Sequence, residues 1–180
     1  MILRPQSPKW MRILPRWLVL GAARLGPIGL IKPAPGTWGS LLGLAYFYFV
    51  LDRLETPAAI AANIIGIVLA VYLCGEAEVR LDEHDPGEVV LDEFVAMPLC
   101  FMGWTRVQEI AEPWGILLCG FAVFRFLDIL KPFGIRRLQM LPSGWGVVMD
   151  DLAAALVACG FMHFIHYIWP ELLLELRPPA

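Results

Sequence analysis

Five carboxylates lie beside apolar segments in places that ordinary surface roles do not explain. They are Asp92 and Glu93 in VVLDEFVAM, Asp128 in FRFLDILKP, and Asp150 and Asp151 in GWGVVMDDLAAA. Neighbours on a helix differ by about 100° in direction, so one member of each adjacent pair can face a bundle interior while the other turns sideways or toward water. Three helix ends could then aim three to five carboxylates into one pocket. Such a group repels itself and is neutralised either by protonation or by a hard divalent cation. Oxygen-only donors select Mg2+, Mn2+ or Ca2+ over zinc or copper, and Mg2+ is commonly held by one or two carboxylates plus water and phosphate. The helix dipole also favours acids in a first turn, which serves Asp92 or Asp150 alone equally well. It does not serve Asp128, near a helix end where acids are disfavoured. All five are candidate metal ligands and catalytic acids or bases.

The opposite charge stands close by. Arg125 and Asp128 are three residues apart and share a helix face, the spacing of a structural ion pair. Beside a metal, however, Arg125 and Lys131 are what a phosphate needs: a planar fork and a compact charge. Pro132 disfavours helical geometry at Lys131, so the helix is expected to end there and free the side chain. In PGTWGS, Thr37 and Ser40 either cap a helix or present hydroxyls and backbone N–H groups to an anion. His84 lies in the turn HDPG directly before the acidic pair of VVLDEFVAM and is a weaker candidate for the site. His163 and His166 fall in the far half of the last apolar segment and suit packing or headgroup contact. No Ser/His/Asp arrangement is evident, so water is the preferred nucleophile. A covalent aspartyl-phosphate stays open, although the DxDx(T/V) signature of one large class that uses it is absent.

These residues must be positioned by apolar elements. Hydrophobic residues make up 58% of the 180-residue chain and charged residues only 17%, against about 25% charged in soluble domains. Apolar segments run over 39–51, 57–75, 94–104, 113–124 and 152–169. Only the second and fifth approach the roughly twenty residues a full span needs. The third becomes a helix of useful length by running back through Asp92 and Glu93, and the fourth by running forward through Arg125 and Asp128. Asp150 and Asp151 are expected to open the fifth. Period-2 alternation is scarce, which disfavours strands. The expected fold is all-α, a polytopic membrane bundle of about five short hydrophobic helices with its carboxylates at one membrane face; a soluble or interfacial helical bundle is the competing architecture. Residues 1–32 read as a basic cytoplasmic or interfacial segment without signal-peptide features, 33–170 as the helical domain and 171–180 as a tail.

Alternating spans from an inside N-terminus place eleven Lys and Arg residues inside and only Arg53, Arg106 and Arg177 outside, in keeping with the positive-inside tendency. The same assignment puts 33–40, 76–93 and 125–151, which hold nearly every unusual polar residue, on the cytoplasmic side. A net charge of −3 without a basic, aromatic-interleaved stripe excludes a nucleic-acid partner. Cys74, Cys100, Cys119 and Cys159 lie inside apolar runs without CxxC or Cys/His spacing, so they read as buried apolar residues rather than zinc ligands. Trp38, Trp104, Trp145 and Trp169 suit either interfacial anchoring or core packing.

Taken together, PGTWGS at 35–40, VVLDEFVAM at 89–97, FRFLDILKP at 124–132 and GWGVVMDDLAAA at 144–155 resemble the phosphatidylglycerophosphatase A family in order and spacing. The resemblance implies a bacterial inner-membrane, Mg2+-dependent lipid phosphatase that removes the terminal phosphate of phosphatidylglycerophosphate, drawn from the inner leaflet, to give phosphatidylglycerol. Asp92, Glu93, Arg125, Asp128, Lys131, Asp150 and Asp151 fall on its motifs, with Thr37 and Ser40 as weaker members. Two other classes also gather acids among helices. A carboxylate-lined cation transporter usually shows an internal repeat and mid-span charges, and neither is evident here. A different metal-dependent lipid headgroup enzyme, the CDP-alcohol phosphotransferase type, needs a DGx2ARx8Gx3Dx3D pattern that the chain lacks. PSGW at 142–145 likewise lacks the His of the PSGH motif of type 2 phosphatidic-acid phosphatases.

Overall fold

The computed structural model describes residues 9–104, 106–107 and 113–168, and among these it is helical without strands. Six α-helices follow in chain order among the described residues: α1 Arg16–Ala23, α2 Pro35–Phe49, α3 Thr56–Leu81, α4 Leu91–Ala96, α5 Trp114–Leu130 and α6 Gly144–Ile168. Short 3-10 turns, including Met97–Phe101 and Ile135–Met140, link them. The all-α expectation holds.

The five-span expectation does not hold in full: among the described residues only α3 and α6 are long and apolar enough to cross a membrane. The third apolar segment fails because Pro98 has no N–H to continue the ladder. Its α-helix therefore stops after six residues and gives way to the 3-10 turn Met97–Phe101. The 15-residue α2 and 17-residue α5 rise about 22 and 25 Å at 1.5 Å per residue, short of roughly 30 Å of hydrocarbon. Even so, the outer surface is strongly apolar. Ile60, Ile64, Val68 and Tyr72 form one exposed stripe on α3, and Leu118, Phe126 and Ile129 are exposed on α5. Water-soluble monomers rarely leave so much apolar surface uncovered, whereas lipid accepts it.

Close helix approach depends on small residues, as it does where helices pack in lipid. Gly36, Gly39 and Gly43 are buried on one face of α2. A methyl at Gly39 would meet the Val90 side chain at 2.8 Å, and one at Gly43 would meet the Phe94 carbonyl at 2.5 Å. The α4 backbone therefore lies directly on α2. Where α3 crosses the start of α6, a methyl at Gly75 would meet Gly144 N and Ser143 Oγ, each at 2.6 Å. Ala154, Ala155 and Ala158 give α6 a buried small-residue face.

The N-terminal segment is tied to the bundle as well. Arg80 donates to the carbonyls of Met11 at 3.1 Å and Leu14 at 2.8 Å while paired with Glu76 at 2.7 Å. Val19, Leu20 and Ala23 of α1 join the core. All four cysteines are free thiols, with Cys74, Cys100 and Cys159 buried and Cys119 half-buried, as their apolar surroundings predict. Trp38 and Trp145 are exposed. Trp104 instead packs against His163 and His166, and Trp169 lies outside the described residues.

Candidate active site

The start of α2, the end of α3, α4, the end of α5 and the first turns of α6 meet at one end of the bundle. On α4, Asp92 and Glu93 occupy the first turn. On α5, Arg125 and Asp128 lie one turn from the end, and Lys131 caps the helix. As Pro132 predicts, the helix stops at Leu130. Lys131 itself adopts the left-handed region at φ 47°, a strained conformation for a residue with a Cβ. Its N–H bonds the Leu127 carbonyl at 2.7 Å, and its ammonium pairs with Asp150.

One expectation is corrected here. Asp150 and Asp151 do not open the last helix; α6 begins at Gly144. After the turn at Pro142 and Ser143, nothing between Trp145 and Met149 resists helix, so the acids sit about two turns inside. They are 1% and 3% exposed. The helix-terminal dipole fades within the first turn and cannot account for them.

The five acids converge. Asp92, Glu93 and Asp151 each offer an oxygen within 4.8 Å of the other two. Lys131 Nζ is 3.8 Å from Asp128 Oδ1 and 3.9 Å from Asp151 Oδ1, besides its pairing with Asp150. Arg125 Nη1 lies 2.6 Å from Asp128 Oδ2 and 3.8 Å from Glu93 Oε1. Two cations therefore stand among five carboxylates. Several acceptors remain unused: Asp92 Oδ1, Glu93 Oε2, Asp150 Oδ1 and Asp151 Oδ2 are buried without a hydrogen-bond partner, and so is the Nε donor of Arg125. Burial, then the charges of Glu93 and Asp151, push the Asp92 carboxyl well up. Burial pushes Glu93 up too, against the lowering effect of its hydrogen bond with Asp92. Burial alone would lower Lys131, but Asp151, Asp150 and Asp128 outweigh it and raise the ammonium above the usual lysine range.

Orphaned buried carboxylate oxygens cost free energy unless something compensates them. Protonation or a cation would do so. The donor set is all oxygen, compact and acidic, and fits a hard divalent ion. Asp92, Glu93 and Asp151 are the residues placed to hold it.

The hydroxyls behave differently. Ser40 is buried and donates to the Gly36 carbonyl at 2.8 Å. Its single proton is thus committed, and its lone pair accepts from Arg125 Nη1 at 3.3 Å. Ser40 steadies the guanidinium. Thr37 is half-buried and its hydroxyl joins none of these contacts. Sequence reasoning missed Glu78, which is 1% exposed and receives His84 Nδ1 at 2.7 Å and the Asp85 N–H at 3.0 Å. Buried Cys74 lies within electrostatic reach of Glu78, Asp85, Glu93 and Asp151, which puts all four in one neighbourhood. The available signal was CGEAEVRL, where acids follow an apolar run without a break. A cavity of about 560 Å³ opens at the opposite end, lined by Phe47, Asn63, Phe101 and Arg106. It contains none of the clustered acids, so donor chemistry and not volume locates the candidate site.

Residues 22–166 match the family model described as phosphatidylglycerophosphatase A. The chain is 38% identical over 140 residues to the phosphatidylglycerophosphatase A of Haemophilus influenzae, covering 77% of this chain and 83% of that one. It is 32% identical over 144 residues to the Escherichia coli protein of the same name, covering 79% and 80% respectively. No solved structure matches.

Proposed function

The chain belongs to the phosphatidylglycerophosphatase A family, and from that premise we propose that its buried acidic cluster is where phosphatidylglycerophosphate loses its terminal phosphate. The enzyme is a phosphatase that yields phosphatidylglycerol, as its family and relatives indicate. One observation carries the assignment of the site: Asp92, Glu93 and Asp151 present mutually close oxygens directly beside Arg125 and Lys131.

In this reading Arg125 and Lys131 bind the phosphoryl oxygens and stabilise the charge that spreads over them in the transition state. Ser40 and Asp128 hold Arg125 in place. A carboxylate of the cluster orients the attacking water and takes its proton. A bound Mg2+, held by Asp92, Glu93 and Asp151 with Asp128 and Asp150 in support, would polarise the phosphate and lower the pKa of that water. Membrane placement follows the same logic. The two long apolar helices and the exposed aliphatic stripes support a multi-pass protein of the bacterial inner membrane. The site then faces the cytoplasm, where a lipid headgroup meets the helix ends while its acyl chains stay in the bilayer.

The direct test is phosphate release from phosphatidylglycerophosphate in detergent, with and without a chelator. The expected results are activity that the chelator abolishes and added Mg2+ restores, and large losses in Asp92→Asn, Asp128→Asn and Asp150→Asn. Activity indifferent to chelation removes the metal. Near-normal turnover in all three variants removes the site.

A further inference from the structure

Hydrolysis of an alkyl phosphomonoester leaves an alkoxide unless a proton reaches the departing oxygen. The groups already placed in the site are poorly suited to give one. An arginine guanidinium does not release its proton in a protein. Lys131 is paired with Asp150 and lies 3.8 Å from Asp128 and 3.9 Å from Asp151, and in the reading above the carboxylates hold the cation and the attacking water.

Histidine is the side chain that exchanges protons near neutral pH, and the chain has three. His163 and His166 pack at the opposite end, His163 Nε2 against the Met102 carbonyl at 2.8 Å and both rings against Trp104. His84 stands at the carboxylate end, and its setting is built. Its Nδ1 is 2.7 Å from Oε1 of Glu78, a carboxylate that is itself 1% exposed. The neighbouring Asp85 N–H bonds the same oxygen at 3.0 Å, and Asp85 Oδ2 accepts from Gln139 Nε2 at 2.9 Å. Asp85 sits in the left-handed region at φ 50°, so the turn is held against its own backbone preference. Asp85 is near enough to Asp150 to act on its charge, which sets the turn beside the acids. The His84 side chain is 41% exposed; the ring is anchored at Nδ1 and its Nε2 edge is left for a ligand.

We propose that His84, oriented by Glu78, is the proton donor to the leaving glycerol oxygen, and that Glu78 is its positioning residue. The inference rests on the phosphatase reading above and extends it. In the step, a water oxygen bonds to phosphorus and its proton passes to a cluster carboxylate. The bond from phosphorus to the glycerol oxygen breaks, and its electron pair stays on that oxygen. The Nε2 proton of His84 moves to the same oxygen, giving the alcohol. His84 is left neutral, donating Nδ1–H to Glu78, and regains its proton from solvent.

The test uses the full-length enzyme in detergent and two substrates, phosphatidylglycerophosphate and an alkyl-tailed nitrophenyl phosphate, whose leaving group departs without a proton. His84→Gly should lose about 10²- to 10³-fold in kcat on the lipid and far less on the aryl ester, and imidazole in the buffer should restore part of the lost rate. Glu78→Gln, which keeps an acceptor, should lose less than Glu78→Leu, with the same split between substrates. An undiminished kcat in His84→Gly overturns the proposal, as does a loss shared equally by both esters and deaf to imidazole. Wild-type enzyme inert toward phosphatidylglycerophosphate would instead overturn the functional assignment beneath it.

Discussion

Arg125 Nη1 lies 2.6 Å from Asp128 Oδ2, one turn along α5, and the same nitrogen stands 3.8 Å from Glu93 Oε1 on α4. The guanidinium therefore joins two helices and keeps its buried Nε donor free. Arg125→Lys should lose about 10²- to 10³-fold in kcat/KM, because a point charge cannot serve Asp128 and a phosphate at once. Kinetics on phosphatidylglycerophosphate decide this, and a lysine variant within threefold of wild type would contradict it.

Mg2+ should raise the thermal midpoint of the purified protein, since an ion that binds only the folded state stabilises it. Asp92→Asn and Asp151→Asn should shrink that shift, each removing one oxygen of the compact triad. An undiminished shift in both variants would place the ion elsewhere.

Lys131 separates a structural effect from a catalytic one. Lys131→Met leaves Asp150, 1% exposed, without its cation. Breaking a buried pair in this way costs about 3–5 kcal/mol. The sign with pH follows from the raised lysine. The folded state holds that proton more tightly, so the stabilisation is complete below the ordinary lysine value and fades only as pH climbs through the elevated one. Loss of the lysine proton should therefore not narrow the stability gap between wild type and variant up to about pH 9, a range below the ordinary lysine pKa. A denaturation series across that range tests it, and a gap that closes toward pH 9 argues against the assignment.

Two glycines should dissociate activity from stability. A methyl at Gly36 collides with Glu93 Oε1 and comes within 3.3 Å of Arg125 Nη1. Gly36→Ala should thus lower kcat strongly while side-chain shifts absorb much of the strain. A methyl at Gly144 collides with the Val71 carbonyl and approaches Gly75 N at 2.7 Å, where backbone must move. Gly144→Ala should cost about 1–3 kcal/mol of stability. Equal effects of the two variants on both readouts would show that the α2–α4 contact does not shape the site.

Arg53 lies at the bundle end away from the acids and Glu83 at the same end as them, and both are exposed. In intact cells, an impermeant maleimide should label Arg53→Cys and spare Glu83→Cys. Labelling of Glu83→Cys from outside would invert the proposed orientation.

Sequence patterns revealed helices, acids and cations because those signals are local. Continuation of α5 through Arg125 and Asp128, and its end at Lys131 before Pro132, follow from periodicity and proline geometry. The start of α6 lies earlier than expected because Trp145–Met149 carries no cap or charge to mark a helix. The third apolar run forms a shorter helix than expected because hydropathy counts Pro98 without registering the N–H it lacks. Glu78 escaped notice because its burial arises from the crossing of α3 with α4 and α6, which no window along the chain can see. Ser40, open in sequence to either capping or anion contact, commits its proton to the Gly36 carbonyl, a choice that no residue pattern records.

The depth of Asp150 and Asp151 in α6 separates the fates of the two products. Six or seven residues below the helix start amount to about 10 Å, so on the proposed reading the ester would be cut beneath the end of the helix. Inorganic phosphate, small and charged, would then leave toward water past the helix ends. Phosphatidylglycerol, held by its tails, would slide out laterally into the bilayer. Turnover would then be paced by whichever doorway is slower, and thicker or stiffer bilayers should slow the lateral one alone.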